Sequence, residues 1–364
     1  IRPRFSIVLC FLYSFTVCSD NVTYFAPEKL VNKGRFSVMA KYLYAHAYLN
    51  KISCRWPREI YEQHLYKWNM AKGDPGKNSI TDYIEQFHDL LNSITSNGFN
   101  NKRPLPVHKS TQLKGAPMYV DGEHRLGALL NFHFDVPCIV SDVATTHWYP
   151  SMFFRERHLP EKYLDAMALA YAQLKKNCFI ATLLPRATGK NSLVESLLEK
   201  HGSIIYKKTI HITENGSFNL IKMFYRNEAW MGNHHNGFRG AREKAAACFG
   251  AWGGARHKPI TVYLVEMDDL AVTQLCKKEI RALFPLRNDS IHINDTHEEA
   301  LEYAQTYFVN NSIRWLNGAF QKKLPQFDAF MDDYKKWLEQ YDVDPTFLCV
   351  DSSAVLSVFG LRDC

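Results

Sequence analysis

Ser290-Ile-His-Ile-Asn-Asp-Thr-His-Glu-Glu299 carries a short strand straight into a helix, and the reading of the C-terminal half turns on it. Residues 290–293 have strand character, and residues 296–308 repeat apolar positions at helical spacing. The helix start is written twice, because Asp295 with Glu298 and Thr296 with Glu299 both fit a capping box. Capping accounts for the acidic cluster without chemistry. His292 is then open to two readings, a packed and hydrogen-bonded strand residue or a reactive imidazole. A metal site built from His292, His297 and Asp295 lacks the His-x-x-x-His spacing that a helical site needs.

Working upstream, residues 260–266 read as a strand and 271–283 as a helix. The stretch 225–254, rich in Gly, Asn and aromatics, reads as loop with one helix around Arg242 to Cys248. Residues 204–212 read as a strand turned by Glu214-Asn-Gly216, 192–200 as a helix ended by His201-Gly202, and 179–184 as a strand. Strands and helices in this order suit a ferredoxin-like α/β sandwich.

Further upstream, residues 162–176 read as a helix opened by Pro160 and Glu161. A mixed α/β unit is expected over 78–145: a helix at 79–97, the turn Asn97-Gly98, strands near 105–108, 118–120 and 137–140, and a helix from the motif Asp121-Gly-Glu-His-Arg125 through Leu130. Residues 20–77 read as helical and aromatic, closed by a loop at Lys72-Gly-Asp-Pro-Gly-Lys77. The expected organisation is a hydrophobic segment at 1–19, a helical segment at 20–77, an α/β domain at 78–145, a helical connector at 146–175, a second α/β domain at 176–320, and a helix with the start of a further unit at 321–364.

Composition bounds the function classes. With 364 residues, 46% hydrophobic and 22% charged, the chain is long enough for two or three globular units. The net charge of +7 suits phosphorylated partners, but no basic stripe with interleaved aromatics marks nucleic acid as the main one. Nine scattered cysteines without a CxxC pair fit reduced thiols and a cytoplasmic location. Against this, Arg2 and Arg4 precede an apolar run, Phe5 to Val17, whose length suits the core of a signal peptide and would make the protein secreted. The same run also suits a buried strand. It is too short to span a bilayer.

In Asp121-Gly-Glu-His-Arg125 a strand ends in a glycine turn that opens a helix, a place where free N–H groups and the helix dipole favour phosphate. Gly122 permits close approach, Arg125 offers a fork of donors, and Glu123 can hold a metal or accept a proton. The alternative is a tight turn in which Glu123 caps the helix and Arg125 makes a surface salt bridge. The succession of helix, Asn97-Gly98, strand, Tyr119-Val-Asp-Gly-Glu-His-Arg-Leu-Gly-Ala-Leu129 and Val136-Pro-Cys-Ile-Val140 resembles the ParB/sulfiredoxin-like nucleotide-binding fold. The resemblance implies phosphate contacts for Gly122, His124 and Arg125. Sulfiredoxins carry their reactive cysteine where Glu123 stands, so sulfinate repair is not implied. No helix-turn-helix of the ParB kind follows Val140, which leaves a DNA-binding partition factor as the third-ranked expectation.

The segment from Glu279-Ile-Arg281 through Arg287-Asn288 and Ile291-His292 to Asn294-Asp295-Thr296 resembles the nucleoside diphosphate kinase signature, and with the upstream strands and helix the likeness spans about 140 residues. The resemblance implies that His292 takes the phosphoryl group, Arg281 clamps phosphate and Asp295 belongs to the supporting turn. Imidazole attack on a γ-phosphorus divides one transfer into two, provided a neighbour fixes the tautomer. Cationic groups and Mg²⁺ offset the developing charge. There are departures: the family's lysine before the proline is Leu184 here, leaving Arg186, Lys190 or Lys207 to substitute; its serine is Asn294, and its glycine after the histidine is Ile293. Residues 347–362 resemble the opening of a polymerase-β-like nucleotidyltransferase.

The expectation is therefore a nucleotide-dependent phosphotransferase using Mg²⁺ with ATP or another nucleoside triphosphate. Its partners are a nucleotide and an unnamed phosphoryl acceptor, with homo-oligomers allowed and no membrane. Its expected site residues are His292, Asp295 and Glu123 in catalysis, with Arg281, Asn294, Gly122, His124, Arg125, Arg186 and Lys207 at the phosphates. The rival expectation is a protein that binds nucleotide without turnover.

Overall fold

A computed structural model describes residues 22–69, 79–109, 117–119, 121–132, 134–140, 148–187, 189–233, 236–320 and 325–344. The apolar run at 1–19, the loop expected at 72–77 and the segment at 347–362 lie outside these residues. The protein is mixed α/β, with two four-stranded sheets.

The first sheet has the order β1-β4-β2-β3, from β1 (Val22–Phe25), β2 (Leu105–Lys109), β3 (Pro117–Tyr119) and β4 (Val136–Val140). Only the β2–β4 pair is parallel. The segment expected to be wholly helical thus also supplies an edge strand, with Thr23 opposite Cys138. With it go α1 (Val38–Leu49), α2 (Trp56–Asn69), α3 (Ile80–Asn97) and α4 (Glu123–Leu129). Ser79 and Asp82 close a full capping box at α3, and its buried Tyr83, Ile84, Phe87, Leu91 and Ile94 recur at helical spacing. The short helix α5 (Ser151–Glu156) and the longer α6 (Glu161–Leu174) follow the sheet.

The second sheet is antiparallel throughout, with the order β6-β7-β5-β8, from β5 (Cys178–Leu183), β6 (Gly202–Ile212), β7 (Lys258–Met267) and β8 (Ile291–Ile293). Side chains alternate across it. Ala181, Leu183, Tyr263, Ile291 and Ile293 form one core with Val194 and Leu198 of α7 (Asn191–His201) and Cys276 and Ile280 of α10 (Leu270–Ala282). Ile180, Val262 and Leu264 face the other way, into a core shared with α6, α8 (Glu214–Phe224), α9 (Arg239–Phe249), α11 (His297–Phe308) and α12 (Asn310–Gly318). Helix α13 (Pro325–Gln340) follows.

That second core runs without a break into the N-terminal unit. Phe36 stacks between Tyr171 of α6 and Tyr206 of β6, with centroids 6.5 and 6.4 Å away. All three rings are fully buried, and each such side chain contributes on the order of 2 kcal/mol by leaving water. Polar groups at this seam are paired: Lys208 Nζ lies 2.7 Å from Asp165 Oδ2, and the Tyr171 hydroxyl donates to Glu266.

Glu214-Asn-Gly216 is not the turn expected there but the first turn of α8. Thr213 is its N-cap, the hydroxyl accepting from Gly216 N–H at 2.9 Å. Gly216 is required by crowding, since a Cβ there would stand 2.2 Å from Asn317 Oδ1. The stretch 225–254 does carry the expected helix, begun earlier at Arg239. No helix among the described residues is long and apolar enough to cross a membrane.

Candidate functional site

His292 sits on β8 opposite Thr182, so its side chain points to the α8 and α11 layer. The ring is 7% exposed and lies among aromatics. Phe224 stacks on it at 3.9 Å between centroids, and Tyr225 meets it edge-on at 5.4 Å. The Tyr303 hydroxyl is 3.3 Å from Nε2. Burial first, then the positive charges of Lys277, Arg281 and Lys244, hold the imidazole pKa well below its ordinary value. The ring is therefore neutral near pH 7.

The cations around it are differently engaged. Lys277 Nζ is 2.9 Å from Asp295 Oδ1, and Lys244 Nζ is 2.5 Å from Asp289 Oδ1. Arg281 Nε is buried with no hydrogen-bond partner among the described residues. A buried donor left so is costly, on the order of 1–3 kcal/mol, which makes Arg281 the cation best placed to gain from an anion.

The remaining residues expected beside His292 divide into near and far. Asp295 faces α10, accepting from Gln274 and Lys277. Thr296 with Glu299 forms the capping box, so the second of the two alternatives is the one used. Asn294 is fully buried; its Oδ1 accepts from Ile180 N–H at 2.6 Å and its Nδ2 donates to the Thr296 carbonyl. Both ends of its amide are occupied by backbone. Leu184 is buried, its N–H donating to the Ser290 carbonyl. Arg186 is tied to the Ala247 carbonyl and Lys190 to that of Leu283. Lys207 is not brought to the site: β6 lies three strands from β8, and Lys207 pairs in register with Tyr263, on the opposite face from His292. Its amine bonds Glu195 instead.

Sequence reasoning had not picked out Lys244, Lys277, Phe224, Tyr225 or Tyr303. Lys277 carries a local signal, since it precedes Arg281 by one helical turn on α10. Phe224 and Lys244 reach His292 from far along the chain, where no spacing announces them.

The Asp121-to-Arg125 motif is arranged differently from a bare phosphate turn. Gly122 takes φ +95°, a conformation that favours glycine, and a Cβ there would also press on the Leu105 side chain at 2.6 Å. Glu123 turns inward to Lys41, whose amine is fully buried and 2.6 Å from Oε2, and it also accepts from the Ser37 hydroxyl. Burial alone would raise the carboxyl, but Lys41 and the hydrogen bonds outweigh it and hold the pKa at about 2. Lys41 lies 3.1 Å from His64 Nε2, so Lys41, His64 and Glu123 form one buried polar cluster. His124 also turns inward, with Nε2 2.8 Å from the Tyr61 hydroxyl and its ring against Phe87. Arg125 donates to the Arg103 carbonyl at 2.8 Å and lies 3.8 Å from Asp121.

No group of His, Cys, Asp or Glu among the described residues converges to hold a metal ion, and Asp289 and Asp295 are each taken by a lysine. Comparison with family models, with curated proteins and with solved structures gives no match for this chain.

Proposed function

We propose that residues 176–320 form a nucleotide-dependent phosphotransferase of nucleoside diphosphate kinase type, working through His292. The observation that carries this reading is a neutral imidazole set among three cations, one of which has a buried nitrogen in want of an acceptor. The succession β5, α7, β6, β7, α10, β8, interrupted only by the α8–α9 pair, also fits the ferredoxin-like sandwich that the resemblance implies.

In this reading Nε2–H donates to the Tyr303 oxygen, which leaves Nδ1 unprotonated for attack. The Nδ1–P bond forms as the bond from the γ-phosphorus to the bridging oxygen breaks, and the nucleoside diphosphate leaves with that electron pair. Arg281 donates to the transferring oxygens. An acceptor oxygen then takes the phosphoryl group and returns the neutral ring. Asn294, with both ends of its amide held by backbone, positions β8 against β5 rather than touching phosphate.

A second reading is supported by the packing of the ring against Phe224 and by Leu184 in place of the family's lysine: nucleotide binding without transfer. Incubation with γ-labelled ATP separates the two. Transfer predicts acid-labile, base-stable label that His292→Ala abolishes. Nucleotide binding to folded protein with no such label would favour the second reading and reject the first.

A further inference from the structure

Helix α8 has a second face. Phe224 turns inward to His292, while Phe218 and Lys222 look outward into an open cleft of about 2170 Å³ bounded by α9, residues 250–252, α11, α12 and α13. His292 does not line this cleft. The Lys222 amine lies 4.1 Å from the ring centre of Phe238 and 5.3 Å from that of Phe218, and the Arg242 guanidinium covers Phe218 at 4.5 Å. Two cations therefore share one ring. Among the described residues neither has an ion-pair partner, whereas Arg226 on the same wall is neutralised by Glu302. Burial, then the charge of Arg242, holds the Lys222 pKa below its ordinary value, so the pair sits where an anion would relieve both. Trp315 and Phe320 also line the cleft, their rings 43% and 48% exposed.

Phosphate beside stackable rings is the chemistry of a nucleotide. We propose that this cleft is a nucleotide-recognising site distinct from the one at His292, with a phosphate held between Lys222 and Arg242 and a base stacked on the aromatic wall. Glu214 and Asp332 also line the cleft and disfavour a ligand of high charge density. A free nucleotide and a short stretch of single-stranded nucleic acid both offer this combination of phosphate and base.

The test is titration of the whole chain carrying His292→Ala, so that the outcome does not depend on phosphotransfer. Inorganic phosphate, adenosine, AMP and a short oligothymidylate are compared by calorimetry, in that background alone and with Lys222→Gln or Arg242→Gln added. Removing either cation takes a charge-assisted hydrogen bond from the phosphate and should weaken AMP binding by about tenfold or more. AMP should also bind better than phosphate or adenosine alone. Oligothymidylate binding tighter than AMP identifies a nucleic-acid strand as the source of the phosphate, and the reverse order identifies a free nucleotide. Arg242 is exposed, so Arg242→Gln keeps the fold and remains informative if Lys222→Gln does not. AMP and oligothymidylate binding untouched by Arg242→Gln, or no better than adenosine, overturns the proposal.

Discussion

The ring of His292 lies face to face on that of Phe224, their planes 11° from parallel, although 68 residues separate them in the chain. This stacking does two things. It buries the imidazole in its neutral form, and it fastens the end of α8 to the edge strand of the second sheet. Phe224 is 6% exposed, so Phe224→Ala should cost about 3–5 kcal/mol, read from the urea midpoint. A loss below about 1 kcal/mol would mean that the stack does not hold α8.

Tyr303→Phe removes a single oxygen beside Nε2. A net hydrogen bond is worth about 1 kcal/mol, so stability should change by no more than that. If the hydroxyl fixes the tautomer, label transfer from ATP should slow by about tenfold or more while nucleotide affinity stays. Equal labelling rates in the two proteins would remove Tyr303 from the mechanism.

Local pattern carried much of the architecture. The α3 capping box and its periodic apolar face are written in adjacent residues, as are the strand and capped helix around His292. Helix α8 was hidden because Asn215-Gly216 is a turn signal in isolation; Gly216 is there to admit Asn317, more than a hundred residues away. The motif at Asp121 gave its turn and helix correctly, but Glu123 turns to Lys41 and His124 to Tyr61. Those partners come from α1 and α2, and tertiary contacts of that kind leave no spacing to read.

Acid should weaken the fold in two stages. His64 and His292 have folded pKa values well below the ordinary 6.5, so the stability they confer is present above that pH and lost as it falls toward the folded values. Glu123, at about 2 against 4.5 when unpaired, holds its contribution to lower pH and loses it between those values. Urea midpoints should therefore drop between pH 7 and pH 5, and the drop should shrink in His64→Phe. A midpoint independent of pH over that range would contradict the buried neutral histidines.

Lys41→Met leaves the Glu123 carboxylate buried beside a methyl group. Breaking a buried pair from one side costs about 3–5 kcal/mol, and the carboxyl pKa should rise as its counter-charge goes. Glu123→Gln added to Lys41→Met should recover part of that loss, because no buried charge remains. If the double variant is as unstable as the single one, packing rather than charge explains the effect.

Asn294 separates a structural from a ligand-binding role at the turn after His292. Its Oδ1 accepts from Ile180 N–H and its Nδ2 donates to the Thr296 carbonyl, so the side chain ties β5 to the start of α11. Asn294→Ser, the residue of the resembling family, is too short to keep both bonds. It should leave Ile180 N–H buried without an acceptor, at a cost of about 1–3 kcal/mol measured by denaturation. Hydrogen exchange at the Ile180 amide should quicken in step, since its protection rests on that one acceptor. Were the serine variant equally stable with unchanged exchange, the tie would not be what holds β8 in register, and Asn294 would be free to meet phosphate directly.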